Sequence, residues 1–344
     1  MSLVSFFGAK KPAIRISVFG KTDLGRTRDH NEDTFLVADL TQRIASLQPD
    51  VRDHELGERG TLLMVADGMG GAAAGEVASA MATDTIFKHL VETWCDDDED
   101  TPQQFAFRIR EAVERANESI HQYAREHPDL RGMGTTTTAV GILDDHLYLS
   151  QVGDSRAYLV RNGEAIQLTK DQSLMQRLVD AGELTEEEAE KSERRNIILQ
   201  ALGPEAKVKV DLTHQEVRQG DAIVLCSDGL SGQVKREEIA EKVSQNDRSL
   251  VDICTELIDM ANERGGPDNI TVLIARVGGD GLKDPGDGDS IGHQVYPLLD
   301  PESTTEPVPI YRDRPPPEPQ SNARTLLAAI AAVMLLAAAI FVFT

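Results

Sequence analysis

Five segments of the chain place a carboxylate at the edge of a predicted strand. VADGMGG sets Asp67 at the close of an apolar run, VGDSR sets Asp154 behind HLYLSQV, and LCSDGLSG sets Asp228 behind AIVL. GGPDNITVL sets Asp268 just ahead of a strand, and RDHNEDTFL sets Glu32 and Asp33 at the head of another. Each alone has an ordinary explanation, since Asp-Gly is a common turn pair and Asp-Asn before a strand serves as a turn or cap. Five together imply more. Strand ends in a sandwich of sheets meet at one rim, and carboxylates crowded there repel unless a cation lies among them. Oxygen donors without a Cys or His cluster suit Mg²⁺ or Mn²⁺ better than zinc. On this reading Asp67 bridges metal ions, and the absence of a side chain lets the Gly68 carbonyl come close to one. In TDLGRTRDHNED, Arg28 lies five residues before Asp33. It is either an ordinary ion-pair partner of these carboxylates or a guanidinium fork that grips phosphate bidentately.

The elements that must position these groups follow from periodicity. IRISVFGKTD, DTFLVADL and TLLMVAD read as strands, the last of them buried, with a loop over 41–60 about which the pattern says little. GEVASAMATDTIFKHLVETW reads as a helix. The next segment, from Pro102, is a stronger one: Phe105, Ile109, Val113, Ala116, Ile120 and Tyr123 step by three and four along a single face. The acidic run Asp96–Asp100 between them reads as a solvated loop. TTTTAVGIL, HLYLSQV, RAYLVR and EAIQLT follow at short intervals, with DD and NG as two-residue connections, and read as an antiparallel meander. A charge-rich stretch from Gln172 to Leu202 is predicted helical. Then come the buried strand DAIVLCSDG, helices near Lys235–Val243 and Leu250–Arg264, and a last strand, NITVLIARV. The fold class is α+β, with sheets facing each other and helices outside.

Charge and composition bound the rest. Of the 344 residues, 58 are acidic and 35 basic, a net charge of -23, which argues against a nucleic-acid partner because phosphate binding relies on clustered Lys and Arg. Cys95, Cys226 and Cys254 are widely spaced and suggest neither a disulfide framework nor a zinc site. The N-terminal segment 1–13 lacks the pattern of a signal peptide. Residues 14–277 are expected to form one domain, and 278–323 a flexible linker rich in Pro, Gly and Asp. Residues 324–344 carry an uncharged apolar run from Thr325 long enough to cross a bilayer as one C-terminal transmembrane helix. Arg312, Arg314 and Arg324 precede that run, so the large domain is expected on the cytoplasmic side of the inner (plasma) membrane.

Taken in order, TDLGRTRDHNED, VADGMGGAAAGEVAS, GTTTTAV, VGDSRAYL, LTKDQSLMQRLVDAGELTEEEA, NIILQALG, AIVLCSDGL and GPDNITVLIARV resemble the motifs of bacterial type 2C metal-dependent protein phosphatases, the PPM family. The likeness runs from about Val18 to Val277. It implies a four-layer α-β-β-α sandwich of two antiparallel sheets flanked by helices. It also implies hydrolysis of phosphoserine and phosphothreonine by attack of a water bridged between two Mn²⁺ or Mg²⁺ ions. Carried over residue by residue, Asp67 is similar to the bridging ligand, Gly68 to the carbonyl ligand, and Asp228 and Asp268 to further ligands of one ion. Asp33 supports the other ion through water, and Arg28 is similar to the phosphate-binding arginine. Asp154, assisted by Asp171, resembles the residues that hold a weaker third ion in many bacterial members. The stretch Asp171–Arg195 corresponds to a flap near substrate. The implied partners are phosphorylated proteins, substrates of bacterial Ser/Thr kinases.

The chain departs from the family at Met69, Ala72 and Gln172, where relatives carry histidine. None of these changes removes an expected ligand, but they leave open which group protonates the leaving alkoxide. Two other readings are a non-catalytic phosphoprotein-binding module and a two-metal hydrolase of other phosphate esters. The full ligand set opposes the first. The acidic balance opposes a nucleic-acid version of the second.

Overall fold

The structure, a computed structural model, describes residues 13–47, 50–192, 194–286 and 288–298. In chain order, β1 (Arg15–Asp23), β2 (Asp33–Asp39), β3 (Ile44–Ser46), β4 (Arg52–Glu55) and β5 (Thr61–Met69) lead into α1 (Ala72–Thr93) and α2 (Pro102–Glu126). Next come β6 (Gly134–Thr135), β7 (Thr137–Leu143), β8 (His146–Val152), β9 (Arg156–Arg161) and β10 (Glu164–Gln167). The short helices α3 (Leu174–Asp180) and α4 (Glu186–Glu190) precede β11 (Asp211–Glu216) and β12 (Ala222–Cys226). The series ends with α5 (Asp228–Ser231), α6 (Arg236–Val243), α7 (Leu250–Glu263) and β13 (Ile270–Gly278).

One sheet runs β10-β9-β12-β13-β1-β4 and the other β11-β8-β7-β5-β2-β3, with β6 added on β5. The pairings are antiparallel. Both faces of each sheet are covered. Along β2, Phe35 and Val37 enter the core between the sheets, while Leu36 and Ala38 pack with α1 and α2. Along β13, Leu273 and Ala275 enter that same inner core, while Val272 and Ile274 pack with α6 and α7. Burial on both faces explains why segments such as TLLMVA read as unbroken apolar runs with no alternation. The expected layering of helices, sheet, sheet and helices is therefore present. Helix α2 starts where the sequence signals it, with Pro102 in the first turn and Thr101 Oγ1 accepting from Gln104 N at 3.2 Å. Its predicted face is buried from Phe105 to Ile120, and the Phe105 ring meets Trp94 of the α1 end at 4.9 Å between centroids.

Four expectations are corrected. The meander is two hairpins in different sheets: β7 and β8 belong to one, β9 and β10 to the other. The DD and NG turns are present, with Asp144 and Asn162 in the left-handed region at φ 49 and 53. Between the hairpins, however, the chain crosses the sandwich at Gly153-Asp154-Ser155. The 41–60 loop contains β3 and β4, and VDLTHQEV supplies edge strand β11, which was not anticipated. Among the described residues of Gln172–Leu202 only α3 and α4 are helical, and bridges Ser173↔Ile198 and Thr135↔Leu202 replace the predicted turns of helix.

Residues 279–286 and 288–298, expected to be linker, instead form a strap across the domain. Asp289 accepts from Arg218 Nη2 at 2.8 Å and from Arg161 Nη1 at 3.3 Å. Leu282 and Ile291 pack on the core between the sheets, and Tyr296 and Leu298 on the core beneath α1 and α2. His214 N donates to Gln294 O and Tyr296 N to Leu212 O, both at 2.9 Å, so the strap covers the free edge of β11. Pro, Gly and Asp content could not reveal this, since the strap is held by two arginines remote in sequence. Residues 299–344, including the expected transmembrane helix, lie outside the described residues. Among the described residues no helix is long and apolar enough to cross a membrane.

Candidate metal centre

The antiparallel register of β2 on β5 sets Asp33 directly opposite Asp67, two carboxylates as cross-strand partners. The β12 strand ends one residue before Ser227, so Asp228 opens α5 from there, and Asp268 lies two residues ahead of β13. Asp154 sits in the crossing between the sheets. Five chain segments thus bring these acids together, as the sequence pattern predicted.

Their electrostatics show the crowding. Burial lifts the Asp67 carboxyl well above the usual carboxylate range, and the charges of Asp33, Asp228, Asp154 and Asp268 lift it further. Burial also pushes Asp33 up to about 7, against hydrogen bonds from Thr271 Oγ1 at 2.7 Å and Ser227 Oγ at 2.8 Å that favour its ionised form. Asp154 is pushed up to about 8 by burial, then by Asp228 and Asp171. Asp228 is pushed up to about 6 by burial and Asp268, while a hydrogen bond with Asp67 acts in the opposite direction.

The donor set fits hard divalent ions. Buried oxygens Asp33 Oδ1, Asp154 Oδ1 and Asp228 Oδ1 have no hydrogen-bond partner. An orphaned buried carboxylate oxygen is costly unless a cation or proton satisfies it. Among the described residues no three acidic, His or Cys side chains close into a ready-made cation cage. Asp268 turns to Arg28 Nη2 at 2.8 Å, and Asp67 is tied to Asp228. Arg28 therefore stands as the ion-pair partner of Asp268, half-exposed at the rim and close enough to feel Glu32 and Asp67.

A carboxyl whose folded pKa lies above its ordinary value keeps its proton to higher pH. Asp228, Asp33 and Asp154 therefore contribute stability to the metal-free fold that is full below the ordinary carboxylate range and is lost as pH rises through about 6 to about 8, where they ionise. Divalent cations compete with those protons. Mn²⁺ affinity is accordingly expected to rise from pH 6 to pH 8 with proton release on binding. Calorimetric titration in two buffers of different ionisation enthalpy checks this, and pH-independent binding without proton release contradicts it.

Gly68 has a second reason to lack a side chain. A Cβ there would collide with the Gly75 carbonyl and lie 2.6 Å from Glu32 O, so the turn is pressed between two backbones. Glu32 O accepts from Gly68 N at 3.1 Å and from Ser79 Oγ at 2.6 Å. Asp171 departs from its expected role. Both its oxygens accept from Arg156, at 2.7–3.0 Å, and Oδ1 also from Gln167 Nε2 at 3.0 Å. It reaches Asp154 through its charge, with its oxygens already engaged.

Several supporting residues escaped the sequence reading. Ser227 and Thr271 hold Asp33. Thr136 Oγ1 accepts from Asp67 N at 3.1 Å and meets Ser155 Oγ at 2.7 Å. Asn269 Oδ1 accepts from Glu32 N, while its Nδ2 donates to Leu24 O and His30 O. A signal existed in TTTT at 135–138: four buried threonines are costly unless paired, and the hydroxyls of Thr135, Thr136 and Thr138 are hydrogen-bonded, whereas Thr137 Oγ1 has no partner.

Comparison with known proteins agrees. Residues 47–273 match the protein phosphatase 2C family. The serine/threonine phosphatase stp of Listeria monocytogenes is 38% identical over 254 residues, covering 74% of this chain and 93% of its own. The serine/threonine protein phosphatase PstP of Mycobacterium tuberculosis is 44% identical over 216 residues, 63% of this chain and 40% of that longer protein. Among solved structures, the Streptococcus agalactiae (S. agalactiae) serine/threonine phosphatase superposes with TM-score 0.65 at 35% identity, covering 76% of this chain and 98% of that one. The catalytic domain of PstP in complex with 2 manganese ions gives TM-score 0.62 at 36% identity over 77% and 99% of the two chains. Sheet order, converging carboxylates and sequence identity agree, and this chain belongs to the protein phosphatase 2C family.

Proposed function

We propose that the chain is a metal-dependent protein phosphatase that hydrolyses phosphoserine and phosphothreonine on proteins. The observation that carries this reading is the buried meeting of Asp33, Asp67, Asp154 and Asp228, with orphaned oxygens on three of them, beside Arg28 at an open rim. Asp67, Asp228, Asp268 and the Gly68 carbonyl would hold two Mn²⁺ or Mg²⁺ ions with support from Asp33, and Asp154 a weaker third. The chemistry such ions supply when bound is acidification of water and neutralisation of phosphoryl charge.

The chain's own residues do the positioning. Ser227 and Thr271 fix one Asp33 oxygen and leave the other to face the site. Thr136 holds the Asp67 backbone at both N and O. Arg28 uses one Nη2 bond on Asp268, so the other edge of its fork is suited to a phosphoryl group. Met69, Ala72 and Gln172 offer no imidazole at these positions to protonate the leaving alkoxide. The test is a Mn²⁺-dependent assay on a phosphothreonine peptide beside a nucleic-acid substrate. Release of phosphate from the peptide alone is expected, and preference for nucleic acid refutes the reading.

The partners proposed are phosphorylated proteins made by bacterial Ser/Thr kinases. The uncharged run Thr325–Thr344, preceded by Arg312, Arg314 and Arg324, supports a single-pass anchor in the inner membrane with the phosphatase domain on the cytoplasmic side.

A further inference from the structure

Gln172 stands where the turn that carries Asp154 meets the chain entering α3. Its backbone N donates to Gly153 O at 2.9 Å, and Gly153 N donates to its Oε1 at 3.0 Å, so both polar groups of the residue before Asp154 are engaged by one partner. The other end of the amide reaches away from the turn. Nε2 donates to Asp211 Oδ2 at 3.0 Å and to Lys209 O at 3.3 Å, at the head of β11. The Gln172 carbonyl accepts from Leu199 N at 2.8 Å, and Leu174 N donates to Ile197 O at 2.9 Å, which seats the returning chain. Gly153 itself has no freedom to rearrange. Its φ is 100, and a Cβ would lie 2.6 Å from the Thr136 side chain, which in turn touches Asp67 N.

We infer that Gln172 is a positioning residue that clamps the Gly153-Asp154 turn, β11 and the chain entering α3 into one register, and so sets the aim of the Asp154 carboxylate. This rests on the reading of Asp154 as a ligand of the weaker ion. One amide serves both contacts because it carries an acceptor and a donor on separate atoms. A neutral imidazole has the same pair on its two ring nitrogens, whereas leucine, of similar size, has neither.

The test compares the full-length wild type with Gln172→Leu, Gln172→His and Gln172→Glu at pH 8. One readout is Mn²⁺ titration followed by electron paramagnetic resonance. The other is the rate of trypsin cleavage at Lys191, mapped by mass spectrometry. Loss of an outer-sphere contact lowers metal affinity by about 10- to 100-fold, so the leucine variant is expected to lose at least about tenfold in affinity for the weakest-bound Mn²⁺ while tighter binding is kept. Cleavage at Lys191 is expected to speed up by about tenfold as the chain entering α3 loses its seat and unfolds locally more often. Histidine is expected to restore both readouts most of the way. Glutamate, which keeps the acceptor for Gly153 but sets an anion against Asp211, is expected to fall between, and it carries the test if the leucine variant fails to fold. Wild-type behaviour of the leucine or glutamate variant in both readouts overturns the proposal, as does a histidine variant no better than leucine. Neither readout needs turnover, so a clamp that holds in an enzyme inactive on phosphopeptides would refute the phosphatase reading and leave this one standing.

Discussion

Replacing Asp67 with asparagine is expected to reduce Mn²⁺-dependent phosphopeptide turnover by about a thousandfold or more, comparable to removing a principal electrostatic stabiliser of the transition state. Asp67 feels the charges of Asp33, Asp228, Asp154 and Asp268 at once. The amide keeps its shape but removes the charge that a bridging ligand needs. The same change relieves like-charge crowding in a buried place, so the metal-free variant is expected to unfold at a higher temperature than metal-free wild type. A gain of about 1 kcal/mol corresponds to a pKa displacement of under one unit. Loss of activity with a gain in stability separates a role in metal binding from one in folding. Calorimetry with and without Mn²⁺ reads both effects. Retained turnover, or a full Mn²⁺-induced rise in melting temperature, would show that Asp67 does not bridge ions.

The second large effect is expected from the strap. Ending the chain at Gly278 removes Asp289 from between Arg161 and Arg218 and uncovers the seats of Leu282 and Ile291. Arg161 is buried and retains Asp221, whose oxygens accept at 2.6 and 2.8 Å, but Arg218 keeps only Glu216 as its ion-pair partner among the described residues. Asp221 and Glu216 keep both guanidinium groups paired, so the lost apolar seats dominate, and a loss of about 2–3 kcal/mol is expected in urea denaturation with Mn²⁺ present. Asp289→Asn isolates the ionic share and is expected to cost less. A chain ending at Leu298 should match the full chain in domain stability and in kcat/KM, yet leave the membrane fraction where the full chain stays. If it remains with membranes, residues 324–344 are not the anchor. If the chain ending at Gly278 is as stable as the one ending at Leu298, the strap is ornamental.

The convergence of acids was legible because each of them sits in a strand-end motif. An acid at the end or head of a predicted strand, repeated on separate segments, carries information about spatial convergence, since strand ends share a rim. Asp33, Asp67, Asp154, Asp228 and Asp268 all came from that pattern, and the structure brings them together. Arg28 was read with two alternatives, and the structure shows it on Asp268. Asp171 was carried over by family likeness alone, and a charge partner fifteen residues earlier, Arg156, turned out to hold it.

Local periodicity and turn chemistry, then, determined from the sequence which segments are strands and helices, where the hairpin turns fall, and which acids gather at strand ends. Only the tertiary structure decided that the four central strands divide between two sheets, that Gly153-Asp154 is the crossing between them, and that a Pro- and Gly-rich stretch folds down as a strap. The reason is physical. Turns and periodicity are set by neighbours in the chain, whereas sheet membership and the seating of Arg161, Arg218 and Asp289 depend on groups up to 128 residues apart, whose meeting no local pattern records.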